Sequence, residues 1–115
     1  MHSDCNCNKI KEYIILSLLS GQYKPGKKVP TIRQCAARWK INPNTVLKVY
    51  KYLQDRRVLI SQKKNGTFLT ENAEVIQNMK GELAIYYVET LCDILYGLGF
   101  SEKETLEMLT KETYL

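Results

Sequence analysis

Asn44, Thr45, Lys48 and Lys51 fall within one short stretch, and on a helix turning about 100° per residue they gather on or beside one face. A carboxamide there can pair with an adenine edge, a hydroxyl can donate to a phosphate, and ammonium groups attract a polyanion. Arg33 upstream, and Lys63 and Lys64 downstream, extend the same chemistry. Catalysis would need other groups. His2 is the single histidine, and no nucleophile–base pair or ligand cluster accompanies it, so no enzyme active site is expected. Cys5 and Cys7 stand one residue apart beside His2. Thiols so spaced, without a second ligand pair, do not build a tetrahedral site, so neither a metal nor another cofactor is expected.

The elements that must position these groups are legible around them. Asn42 can cap a helix that Pro43 starts, because its side-chain oxygen accepts an orphan backbone N–H and proline needs none at the first position. Val46, Val49, Tyr50 and Leu53 recur at i, i+3, i+4 and i+7, which predicts a buried stripe opposite Asn44, Lys48 and Lys51. A solvated surface helix shows the same pattern, so the neighbours decide. Thr31 and Gln34 form a capping box for a preceding helix whose Ile32, Cys35, Ala36 and Trp39 face the core, leaving Arg33 and Arg38 outside. Lys40-Ile41-Asn42 is a short turn between the two, the layout of a helix-turn-helix.

Val58–Gln62 and Gly66–Thr70 are β-prone, and Lys63-Lys64-Asn65-Gly66 between them carries an Asn-Gly hairpin signal. A cationic hairpin after a helix-turn-helix is a wing. Upstream, Lys9–Ser20 reads as an amphipathic helix ended by Gly21, Pro25-Gly26 as a type II turn, and residues 1–8 as a flexible N-terminus.

Charge separates the chain into zones. Lys24–Lys64 holds 12 Lys/Arg against Asp55 alone, a net +11, whereas residues 65–115 hold 3 Lys and 9 acids, a net −6. A basic block inside a segment that also carries a buried stripe is the footprint of a folded nucleic-acid binder. The basic residues are spread over several elements and not along one helix, which argues against a membrane surface as the partner. No run of about 18 apolar residues is present, so a cytoplasmic protein is expected, with Cys5, Cys7, Cys35 and Cys92 as reduced thiols.

With these pieces in order, residues 9–70 resemble the winged-helix DNA-binding domain of the GntR family of bacterial regulators. Leu19-Ser20-Gly21-Gln22-Tyr23-Lys24-Pro25-Gly26, Val29-Pro30-Thr31-Ile32-Arg33, Asn42-Pro43-Asn44-Thr45-Val46 with Tyr50 and Leu53, and Asn65-Gly66-Thr67-Phe68-Leu69 carry the resemblance. Two departures stand out: Cys35 replaces the usual Leu, and Leu47 occupies a position often polar or basic. The resemblance implies double-stranded DNA as partner, with Thr31, Arg33, Asn44, Thr45, Lys48, Lys51, Lys63, Lys64, Asn65 and Gly66 at the contact.

Residues 71–115 read as a long helix from Ala73 to Leu98, then a short one capped by Ser101 and Glu104. That pair resembles the dimerisation region of the YtrA subfamily. The expected fold is therefore mainly α with a small β-hairpin: a winged helix-turn-helix followed by a two-helix dimerisation extension. Ile76, Leu83, Tyr87, Leu91, Ile94, Leu95 and Leu98 are the residues expected at a homodimer interface, since two helices cannot cover that apolar surface alone. The function expected is a repressor acting on a pseudo-palindromic operator, with transporter genes as the target the family suggests. A small-molecule effector would enter at the dimer interface, walled by Tyr86, Tyr87 and Cys92. The alternative is a protein-interaction adaptor that uses the winged helix as a scaffold.

Overall fold

The computed structural model describes the backbone of residues 2–110 and the side chains of residues 9–110. Along the chain run α1 (His2–Leu19), α2 (Ile32–Trp39), α3 (Pro43–Asp55), β1 (Leu59–Gln62), β2 (Gly66–Leu69), α4 (Ala73–Gly97) and α5 (Glu102–Thr110). The mainly helical fold with one small antiparallel hairpin matches the sequence reading. α1 differs from it at one end, starting at His2 and not at Lys9. No Gly or Pro interrupts residues 2–19, and extending an existing helix costs far less than nucleating one. The side chains of His2, Cys5 and Cys7 lie outside the described residues.

Two compact units divide between Leu83 and Ala84, further along the chain than the expected boundary after residue 70. The first has a single core. Ile14, Ile15 and Leu18 of α1, Cys35 and Ala36 of α2, Val46, Val49, Tyr50 and Leu53 of α3, and Val58, Leu59 and Leu69 at the hairpin close it to water. Ile76, Met79 and Leu83 from the start of α4 belong to the same core. Ile76 and Leu83 are thus not interface residues as expected. Their stripe completes this unit, which explains why the compact region runs past the hairpin.

The caps fix where the helices begin and end. Thr31 Oγ1 accepts from the Gln34 N–H and Gln34 Oε1 accepts from the Thr31 N–H, each at 3.0 Å, the reciprocal box the sequence predicts. Asn42 Oδ1 accepts from the Asn44 N–H at 2.8 Å. α3 ends with Arg57 in the left-handed region at φ 63°. There the Val58 N–H reaches Leu53 O and the Arg57 N–H reaches Gln54 O, a Schellman closure at a position where glycine is more usual.

β1 and β2 pair antiparallel with Leu59 opposite Leu69 and Gln62 opposite Gly66. The stretch before α2, read from sequence only as a turn, also joins this sheet. Val29 N–H donates to Thr67 O, Leu69 N–H to Lys27 O and Gly26 N–H to Leu69 O, at 2.8 to 2.9 Å.

An ion pair ties α4 to the end of α3. Arg56 Nη1 donates to Glu82 Oε1 at 2.9 Å and to Tyr52 Oη at 2.7 Å, and Arg56 Nη2 also meets Glu82 Oε2. Lys11 Nζ stands 3.9 Å over the Tyr52 ring. The Arg56 hydrogen bonds hold the Glu82 carboxyl below its usual range.

In the second unit, Gly99 at φ 97° closes α4, with the Phe100 N–H on Leu95 O and the Gly99 N–H on Tyr96 O, a second Schellman motif. Ser101 and Glu104 form the expected capping box. Tyr86 and Tyr87 meet edge to face with centroids 5.2 Å apart, Cys92 is half-buried, and Thr105 is buried. Tyr87, Leu91, Ile94 and Leu98 are exposed along α4 and just beyond it, and Leu106 and Leu109 are exposed on α5, while Leu95 is half-buried.

The Arg56–Glu82 pair predicts a specific pH signature. Because Glu82 ionises more readily in the folded chain, its contribution is present above the ordinary carboxylate range and is lost as pH falls through the lowered value. The two side chains are 37% and 52% exposed, so Glu82→Gln should cost no more than about 1 kcal/mol at neutral pH. Urea titrations of both proteins should show that gap closing at acid pH.

Candidate nucleic-acid interface

Burial of one side of α3 decides what its other side presents. With Val46, Val49, Tyr50 and Leu53 closed to water, Asn44, Leu47, Lys48 and Lys51 are left exposed and Thr45 half-exposed. Tyr50 supplies more than apolar bulk. Its hydroxyl donates to the Pro30 carbonyl at 2.6 Å, tying α3 to the segment that enters α2. Burial, reinforced by the neighbouring Cys35, pushes the Tyr50 phenol well above its ordinary ionisation range. Burial likewise raises the Cys35 thiol, so Cys35 is a protonated core residue.

Arg33 lies exposed in the first turn of α2, two residues after the Thr31 cap. The Thr31 oxygen accepts the Gln34 N–H, which leaves its O–H proton as a donor. Thr31 and Arg33 at one helix start, and Asn44 and Thr45 at the next, therefore occupy the N-terminal turns of adjoining helices. Backbone N–H groups at such ends also favour anions.

The wing tip carries further positive charge. Gln62 pairs with Gly66, so its loop is Lys63-Lys64-Asn65, all three exposed. The loop is one residue longer than a two-residue Asn-Gly hairpin. The left-handed positions are accordingly Lys64 at φ 70° and Gly66 at φ 112°, not Asn65. Gly66 is needed for that conformation, and it lies against the flexible end of the Lys28 side chain, which a Cβ there would displace.

That proximity identifies Lys28 as a wing residue that the sequence reading counted only in the net charge. It lies opposite Phe68 through the added strand pairing. The signal for it was faint, since one bridge leaves no alternating pattern to read. Other cations are diverted. Arg56 is paired with Glu82, and Arg38 Nη1 donates to Tyr23 Oη at 3.2 Å.

The resulting surface carries donors and positive charge, and it suits a phosphate backbone with base edges between its strands. Among the described residues no group of three or more His, Cys, Asp or Glu is arranged to hold a metal ion. Nor is any helix among them long and apolar enough to cross a membrane.

Comparison with known proteins agrees with this geometry. The HTH-type transcriptional regulator YhcF of Bacillus subtilis is 29% identical over 99 residues, covering 86% of this chain and 82% of that protein. The HTH-type transcriptional repressor YtrA of Bacillus subtilis is 41% identical over 56 residues, covering 49% of this chain and 43% of that protein. The structure of a GntR family transcriptional regulator from Listeria monocytogenes superposes with a TM-score of 0.71 over 90% of each chain, at 22% identity. Residues 6–69 match the model of the bacterial regulatory proteins of the gntR family. More than half of the chain, with the capped helix pair and wing at its centre, thus places it in the GntR family of DNA-binding helix-turn-helix transcriptional regulators, among relatives that include YtrA.

Proposed function

We propose that the chain acts as a homodimeric repressor that reads a pseudo-palindromic operator, with α3 in the major groove and the Lys63–Gly66 wing on the adjacent minor groove or backbone. The observation that carries this reading is the one-sided burial of α3, which leaves Asn44, Lys48 and Lys51 free of the core. Asn44 pairs with adenine, Arg33 forks onto a guanine edge or a phosphate, and Thr45 and Thr31 donate to phosphates. Lys48, Lys51, Lys63 and Lys64 supply sequence-independent attraction through counterion release. Blocking polymerase at a promoter needs no additional machinery, which favours repression, as the name of YtrA also does. Transporter genes are the target suggested by family resemblance.

The dimer reading rests on the second unit. Tyr87, Leu91, Ile94 and Leu98 follow one another at spacings of four, three and four residues and are exposed, the seam that helices use to pack side by side. A contiguous apolar stripe of this kind calls for a partner, and a second copy related by a two-fold axis supplies the same stripe.

Site selection from random duplexes tests the operator reading. The wild-type chain should return inverted half-sites whose centres lie about one helical turn, or a multiple of it, apart. Asn44→Ala should lose about 1 to 3 kcal/mol of discrimination at one base pair per half-site, and an unaltered preference profile would remove Asn44 from base reading. Ile94→Glu, at a side chain 54% exposed, should leave the fold intact while sedimentation velocity shows a monomer. A dimer persisting in that variant would move the interface elsewhere.

A further inference from the structure

Leu47 is out of character with its surroundings. It stands three residues after Asn44 and four before Lys51, which sets it roughly 60° and roughly 40° from them around the helix axis. Its side chain is 36% exposed. It belongs neither to the buried core nor to the half-buried side chains packed against that core. The exposed α3 surface around it is the carboxamide of Asn44, the ammonium groups of Lys48 and Lys51 and, one turn earlier, the ring of Pro43, so Leu47 and Pro43 make a small apolar spot on an otherwise polar face.

We propose that Leu47 is a specificity-determining residue that reads the 5-methyl group of a thymine in the major groove. This rests on the DNA-binding reading of α3 given above. Of the groups that base edges present in that groove, the thymine methyl is the apolar one; every other is a hydrogen-bond donor or acceptor. Leucine offers neither a donor nor an acceptor. Set against guanine, adenine or cytosine it would strip water from polar atoms and return nothing, a penalty that disfavours those bases. Set against thymine it buries methyl against methyl. One side chain thereby attracts the correct base and repels the others, the two halves of specificity.

The test uses the full-length protein and the sequence recovered from site selection. Each thymine of the selected site is replaced in turn by uracil, which removes only the methyl group, and affinity is measured by fluorescence anisotropy. At one position per half-site, uracil should weaken wild-type binding by about fourfold, the effect of one buried methyl. Leu47→Ala should bind the thymine and uracil duplexes equally. Leu47→Arg should move the preference at that position toward guanine. Circular dichroism should match the wild type in both variants, since Leu47 is outside the core that sets the fold. Wild-type indifference to uracil throughout the site, or a uracil penalty that persists in Leu47→Ala, would overturn the proposal while leaving α3 as the reading helix. Failure of the wild type to select any sequence would overturn both.

Discussion

Closing one side of α3 to water fixes what its other side presents. Val46, Val49, Tyr50 and Leu53 cannot leave the core without exposing their apolar area, at about 1.5 to 3 kcal/mol for each large aliphatic side chain. The rotation of the helix about its axis is therefore set from within. Tyr50 adds a directional tie to Pro30, so the start of α2 and the middle of α3 hold one register. Everything outside follows: Asn44 and Lys48 are presented because their opposite numbers are buried, not because a contact of their own holds them. The core thus fixes the backbone that carries this face before any partner arrives, and the ordering cost left to binding is that of the exposed side chains.

Local chemistry made most of this legible in the sequence. A capping box, an Asn-Pro helix start and a four-residue apolar stripe are each decided by neighbours within one or two turns, and the structure shows all of them. What was not legible depends on distant partners. Ile76 and Leu83 looked like interface residues because an apolar helix face does not say what covers it, and here the first unit's own core does. Arg56 counted toward the basic block, yet its partner Glu82 lies 26 residues away. The pairing of residues 26–29 with β2 is too short to leave a period, and Lys28 gained its place in the wing through it. Of the candidate site, which side of α3 is buried and which is exposed was readable. The wing was readable in position but not in loop length, which the register alone determines.

Charge and shape act at different levels in this molecule. The +11 block between Lys24 and Lys64 draws the chain to any duplex and makes every affinity salt-dependent. It cannot choose a sequence. In the function we propose, choice resides in the few side chains of α3 and α2 set against base edges, whose contributions are smaller singly but differ from base to base. The Arg56–Glu82 pair removes one guanidinium from the first role and uses it to fasten α4 against α3, a structural use of a charge that composition assigns to binding.

One titration separates general attraction from a sequence choice made by α3. Wild-type protein is measured by fluorescence anisotropy against its own upstream DNA and against a scrambled duplex of equal length, over a series of salt concentrations. Both affinities should fall steeply with salt, and the upstream DNA should keep an advantage of about 10³-fold or more at each concentration. Equal affinity for an upstream duplex that contains the selected half-sites and for its scrambled counterpart would mean that α3 makes no sequence choice, since charge alone would then explain the binding.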